Sequence, residues 1–214
     1  MKLFAGLVLV FLLCFTSAVC AQTDSDVVRI RVMKPARELF DNTTDKGSFG
    51  LTLGVGEVFH RGRVWFDIGA FADLTNYNFD IDNDKRFRGS NLCLGPGVCT
   101  RYCFNPQNSF RFSVGLLLKA GYNWGAGDVY KYNDQHNDYS NKLEDKPIKS
   151  NISAAVSPFI SLSTNGNPGP IAIELGYDSA NYAKQINNLR SAYYSPLNYH
   201  SGYLFVGIAL TFGN

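Results

Sequence analysis

Residues 202–212 read Gly-Tyr-Leu-Phe-Val-Gly-Ile-Ala-Leu-Thr-Phe, and this alternation constrains the fold more than any other stretch of the chain. Leu204, Val206, Ile208, Leu210 and Phe212 share one face, while Tyr203, Phe205, Gly207, Ala209 and Thr211 share the other. A period of two is that of a β-strand, and a strand of this kind must pair with something. The question is how many similar stretches exist to pair with it.

Seven more appear, at residues 27–33, 48–60, 64–74, 90–104, 110–124, 152–162 and 171–177. The clearest places Phe110, Phe112, Val114, Leu116, Leu118, Ala120, Tyr122 and Trp124 opposite Arg111, Ser113, Gly115, Leu117, Lys119, Gly121 and Asn123. The least regular contains Gly95-Pro96-Gly97, so a small hairpin turning there competes with one continuous strand. Continuity is favoured because Leu92, Leu94, Val98, Tyr102 and Phe104 stay in phase, which puts Cys93, Cys99 and Cys103 together on the other face. How these three pair is open, although residues four apart on one strand are about 13 Å apart, too far for a disulfide.

Short breaks follow strands two, four and six: His60-Arg61-Gly62-Arg63, Asn105-Pro106-Gln107-Asn108 and Asn165-Gly166-Asn167-Pro168. Long polar stretches follow strands one, three, five and seven, at residues 34–47, 76–89, 125–148 and 179–199. Short turns at one rim and long loops at the other are the pattern of an up-and-down barrel. The predicted fold is therefore all-β, an eight-stranded antiparallel up-and-down transmembrane β-barrel, whose strands mostly reach the roughly 9–11 residues that a span requires. A secreted soluble sandwich is the rival, with the polar face in water and the apolar face against a second sheet.

Composition agrees with one domain in 214 residues, 45% hydrophobic and 14% aromatic. A net charge of +2, with no Lys/Arg-rich tract, gives no reason to expect a nucleic-acid partner. Mean hydropathy of −0.11 excludes a chain built of apolar helices. At the N-terminus, Lys2, an apolar run over residues 3–15 and the small residue Ala21 after Val19-Cys20 read as a signal peptide over 1–21, leaving a barrel domain over 22–214. An odd number of cysteines remains after cleavage, so no disulfide framework supports the fold.

With these strands in place, the chain resembles the small eight-stranded outer-membrane barrels of the OmpA and OmpX type. Gly207, Leu210 and Phe212 look like the glycine-plus-two-hydrophobic C-terminal signal of such barrels, here followed by Gly213 and Asn214 and with Phe205 where that signal has a polar residue. The resemblance implies an outer-membrane location, contact with outer-membrane lipid, recognition by the barrel-assembly machinery and an extracellular partner whose identity the sequence does not show.

The informative polar set lies opposite the apolar stripe: Arg29, Arg31, Asp67, Asp73, Arg101, Arg111, Lys119, Glu174 and Asp178. Against lipid each such charge would cost several kcal/mol, whereas inside a narrow barrel they can pair. Asp67 is expected to sit between Arg101 and Arg111. Eight strands leave a lumen that side chains fill, so the expected function is a sealed barrel displaying four extracellular loops for envelope structure, adhesion or surface interaction.

No catalytic, cofactor or metal set is expected, and the protein is not read as an enzyme. The alternative is an outer-leaflet lipid-modifying enzyme of the lipid A deacylase kind, using His200 and Ser201, yet adjacent residues on a strand point to opposite faces. His60 and His136 read as solvated. Asp80, Asp82 and Asp84 imitate a calcium loop that has Lys85 where glycine is needed and Asn91 where a bidentate glutamate is needed.

Overall fold

The computed structural model of the protein describes residues 25–36, 47–133, 136, 138–164, 170–196 and 202–213. The expected signal peptide and cleavage site lie outside the described residues, as do His200 and Ser201. The strands are β1 (Ser25–Pro35), β2 (Phe49–Arg61), β3 (Val64–Asp80), β4 (Lys85–Cys103), β5 (Phe110–Asn133), β6 (Asp138–Thr164), β7 (Ile171–Asp178) and β8 (Tyr203–Gly213). Each pairs antiparallel with its neighbours in sequence order, and β1 pairs with β8 from Ser25↔Gly213 to Pro35↔Tyr203, closing one barrel. Closure excludes the two-sheet sandwich.

Local chemistry accounts for the edges. Arg61 pairs with Val64 across a two-residue turn whose first position, Gly62, has φ +62°, a conformation that glycine adopts without a Cβ penalty. Pro35 closes β1, since it has no N–H to continue a ladder. At Gly95-Pro96 the β4–β5 pairing skips from Leu94↔Tyr122 to Gly97↔Lys119 without losing register, so β4 is one strand rather than a small hairpin.

Alternation sorts the side chains as expected. Ile30, Val55, Leu74, Leu94, Leu118, Ile160, Ile173 and Ile208, one from each strand, are all exposed on the outer face. Full burial of such a side chain is worth about 1.5–3 kcal/mol, so a belt of them around the whole ring is unfavourable in water and favourable against lipid.

Two of the expected loops are corrected. Residues 76–89 are not a loop: β3 runs to Asp80, β4 starts at Lys85, and only residues 81–84 join them. Likewise β5 and β6 continue into most of the stretch expected as a loop over 125–148, with register shifts at Gly125/Gly127, Val129/Tyr130 and Lys131/Tyr132. The reason is an inversion of polarity. Beyond the apolar belt Tyr77, Phe79, Phe87 and Val129 turn inward, while polar residues such as Asn76, Arg88 and Ser90 face out.

The inward apolar face is covered from the β7–β8 connection. A short helix, α1 (Tyr182–Asn188), is capped by Asn181, whose side chain accepts from the Lys184 N–H at 3.2 Å. Ala183, Ile186 and Leu189 are buried in one cluster with Phe79, Phe87, Val129 and Tyr203. Phe79 and Phe87 stack at 5.0 Å and Tyr194 meets Phe87 edge-on at 5.5 Å. The segment therefore closes the loop-side mouth instead of standing free as the polar loop expected from its sequence.

Candidate functional site

The lumen is the only place where the fold gathers charge away from water among the described residues. Arg29 and Arg31 project inward from β1, Asp67 and Asp73 from β3, Arg101 from β4, Lys119 from β5, and Glu174 and Asp178 from β7; all eight are buried. Arg111, near the turn-side start of β5, is half-buried.

They form three groups. In the first, the Arg29 guanidinium donates to both oxygens of Asp67 at 2.7 Å, and its Nε reaches Glu174 Oε1 at 3.4 Å. Arg31 donates Nε and Nη2 to Glu174 Oε2 at 2.9 and 2.7 Å, with its guanidinium 4.3 Å over Phe205 and 5.1 Å over Phe159. The Arg29–Asp67 pair, with two parallel bonds to two oxygens, is the bidentate and strong form of charge-assisted hydrogen bond. Gly207 has a packing reason here, because a Cβ at that position would lie 2.6 Å from Arg31 Cγ.

The second group lies nearer the loops. Lys119 Nζ donates to Asp73 Oδ2 at 2.7 Å and contacts Asp178 Oδ2 at 2.6 Å. Thr52 donates to Asp73 at 2.6 Å, and Ser157 and the Ala180 N–H donate to Asp178, each at 2.9 Å. Each carboxylate thus has a partner at both oxygens, which offsets the cost of burying it away from water.

The third group departs from the expected arrangement. Asp67 is engaged by Arg29, not held between Arg101 and Arg111. Arg101 Nη2 stays 3.8 Å from Asp67 Oδ2 with no hydrogen bond, and Arg111 makes no ion pair with it. Both guanidiniums instead lie over Trp65, at 5.4 and 5.8 Å from the ring centroid. Strand spacing placed Asp67 and Arg101 at one height, but the closed ring also brings β1 into the lumen beside β3, and Arg29 arrives there first.

Residual voids are small: about 10 Å³ beside Asp73 and Lys119, about 20 Å³ beside Arg29 and Asp67, and about 10 Å³ beside Trp65 and Arg101. Each of these has room for about one water. Cys93, Cys99 and Cys103 are free and buried on the lumen face, as continuity of β4 predicts.

A polar relay beneath α1 had no counterpart in the sequence reasoning. Tyr77 donates to Gln185 Oε1 at 2.6 Å, Gln185 Nε2 donates to Asn123 Oδ1 at 3.1 Å, and Asn123 Nδ2 donates to Ser153 at 2.7 Å. The signal that could have found the helix is Asn181 followed by Ala183, Ile186 and Leu189 at a spacing of three. The aspartates of residues 80–84 hold cations from the chain itself: Lys85 contacts Asp82 and Asp84 at 2.7 and 3.1 Å, and Arg86 contacts Asp80 at 2.6 Å. His136 sits in the β5–β6 turn, and His200 and Ser201, which the enzymatic alternative would need, lie outside the described residues.

No protein-family model matches the chain, and no curated protein sequence matches it. Among solved structures the chain is similar to Neisserial surface protein A, at 15% identity, over 88% of this chain and 97% of that one, with a TM-score of 0.42. It is also similar to Ail, the attachment invasion locus protein of Yersinia pestis, at 15% identity over 90% of this chain and 100% of that one, with a TM-score of 0.36; in complex with the heparin analogue sucrose octasulfate, Ail gives 0.40. Both are small eight-stranded outer-membrane barrels.

Proposed function

We propose that this protein is an outer-membrane barrel of a Gram-negative bacterium, sealed by its own side chains, that carries an extracellular sheet for envelope structure or surface interaction. The observation that supports this most is the pairing of an apolar belt on the outside of all eight strands with buried ion pairs inside. Lipid satisfies the belt, and the ion pairs fill what would otherwise be a polar channel. In this reading residues 1–21 direct export, residues 22–214 form the barrel, and Gly207, Leu210 and Phe212 serve as the terminal signal for the assembly machinery.

The extension of β3–β6 would stand outside the cell with α1 packed on its inner face. Its outer face offers guanidinium on aromatic rings: Arg86 lies 3.9 Å over Tyr139, and Arg88 lies 5.3 Å over Tyr130. Arginine and tyrosine are enriched at protein interfaces, which supports a surface-interaction role for this face.

Fractionation and labelling test the proposal together. The mature chain should require detergent for extraction and migrate differently on gels before and after heating. A membrane-impermeant thiol reagent on intact cells should label His136→Cys and not Gly62→Cys, over a low background because the native cysteines are buried. Extraction by salt alone would refute membrane residence, and labelling at Gly62→Cys but not at His136→Cys would refute the orientation.

A further inference from the structure

We infer that the turn-side end of the lumen contains a binding site for a single halide-sized anion, built by Arg101 and Arg111 over Trp65. The inference does not depend on which partner the extracellular sheet meets.

Charge distribution motivates it. Arg29 and Arg31 are matched by Asp67 and Glu174, and Lys119 is matched by Asp73 and Asp178. Arg101 and Arg111 are left with one carboxylate 3.8 Å away that already serves Arg29 through two bonds at 2.7 Å. Arg101 has a side chain only 7% exposed, yet its Nε and Nη2 find no hydrogen-bond acceptor among the described residues, and neither does Nε of Arg111. A buried guanidinium with unused N–H groups is costly, and stacking on an indole offsets only part of that cost.

The lining chemistry names the ligand. The pocket is walled by Trp65, Arg101, Cys103, Arg111, Ser113 and Ser163, with a volume of about 10 Å³. Guanidinium, hydroxyl and thiol groups can donate, and none of the six side chains carries a carboxylate. The small volume favours a monatomic anion over the larger tetrahedral phosphate or sulfate. Arg111, half-buried at the start of β5, gives the site an approach from the rim that bears the short turns.

Trp65 supplies the assay, since bromide quenches indole emission on contact. Trp124, the other tryptophan, is exposed on the outer face, so Trp124→Phe in the full mature chain, refolded in detergent, isolates the site. Titration with sodium bromide at constant ionic strength should give saturable quenching that chloride reverses and sulfate does not. In the same background Arg101→Gln should weaken the apparent affinity about tenfold or more, the loss expected for one charged hydrogen bond. Arg111→Gln, at the more exposed position, should do the same and remains available if the Arg101 variant does not fold. Linear quenching in the parent, equal quenching in the parent and Arg111→Gln, or reversal by sulfate as effective as by chloride would overturn the inference.

Discussion

Replacing Asp67 by alanine should be among the most damaging single changes inside the barrel, and replacing Arg29 as well should repair part of the damage. Asp67 is 3% exposed and receives two hydrogen bonds of 2.7 Å from Arg29. Without it, Arg29 keeps only the 3.4 Å contact to Glu174, whose other oxygen is occupied twice by Arg31. Removing one partner of a buried ion pair, which leaves the other charge uncompensated, places the loss at roughly 3–5 kcal/mol. In Asp67→Ala combined with Arg29→Leu the stranded charge is gone and the Arg31–Glu174 pair remains, so about 1–3 kcal/mol should return. Adding Arg101→Leu to Asp67→Ala should return much less, because Arg101 makes no hydrogen bond to Asp67. Urea unfolding of the detergent-folded barrel, followed by tryptophan fluorescence and heat-dependent gel migration, measures all four proteins. A double variant with Arg29→Leu no more stable than Asp67→Ala would refute the assigned pairing.

Depth should govern tolerance on the outer face: Leu116→Arg, midway along the belt, should cost roughly 2–4 kcal/mol, and Phe110→Arg at the turn-side start of β5 roughly 0–1 kcal/mol, with equal costs counting against membrane burial. Leu117→Arg is not the tolerant control that its phase suggests, since Leu117 is packed in the core cluster with Cys99 and Phe159. Glu144 should make the β7–β8 segment acid-sensitive. Burial opposes its charge, but Lys146 at 2.7 Å, the Ser191 hydroxyl and the Ala192 N–H outweigh burial and hold its carboxyl below the ordinary 4.5. A lowered folded value means that the attachment is fully present above about 4.5 and fades as pH falls through the lowered value. Hydrogen-exchange protection of residues 191–194, corrected for intrinsic rates, should fall with acid in the parent and lose that dependence in Glu144→Gln; the same acid response in both would remove Glu144 as the cause.

Legibility in the sequence followed the solvent. Between Phe112 and Trp124 the outside is apolar and the inside polar, so a period of two shows directly as hydropathy and the strand can be read. Past Gly125 the outside becomes polar and the inside apolar over Tyr77, Phe79, Phe87 and Val129, with bulges that break the period, and the same ladder looks like loop. The nine inward charges were legible as a face because phase is a local property. Their partners were not, because Arg29 meets Asp67 and Arg31 meets Glu174 across a ring, at separations of 38 and 143 residues, where height depends on stagger as well as on strand order. The helix escaped because its apolar residues are few and set among asparagine, serine and tyrosine.

The change of polarity along β5 also makes the barrel a gauge. From Phe112 to Trp124 the outward side chains stay apolar, with Tyr122 and Trp124 in tilted contact at 4.7 Å at the far end. Twelve steps of about 3.3 Å, inclined at the 35–45° usual for such barrels, project to about 30 Å along the membrane normal, the thickness of a hydrocarbon core. Aromatic rings then fall at the level of lipid headgroups, and the first outward carboxylate beyond them, Asp128, falls in water. In the proposed membrane placement, a bilayer much thinner or thicker than this would have to deform around the protein or tilt it, so the position of one tyrosine–tryptophan pair sets how far the β3–β6 extension stands clear of the lipid.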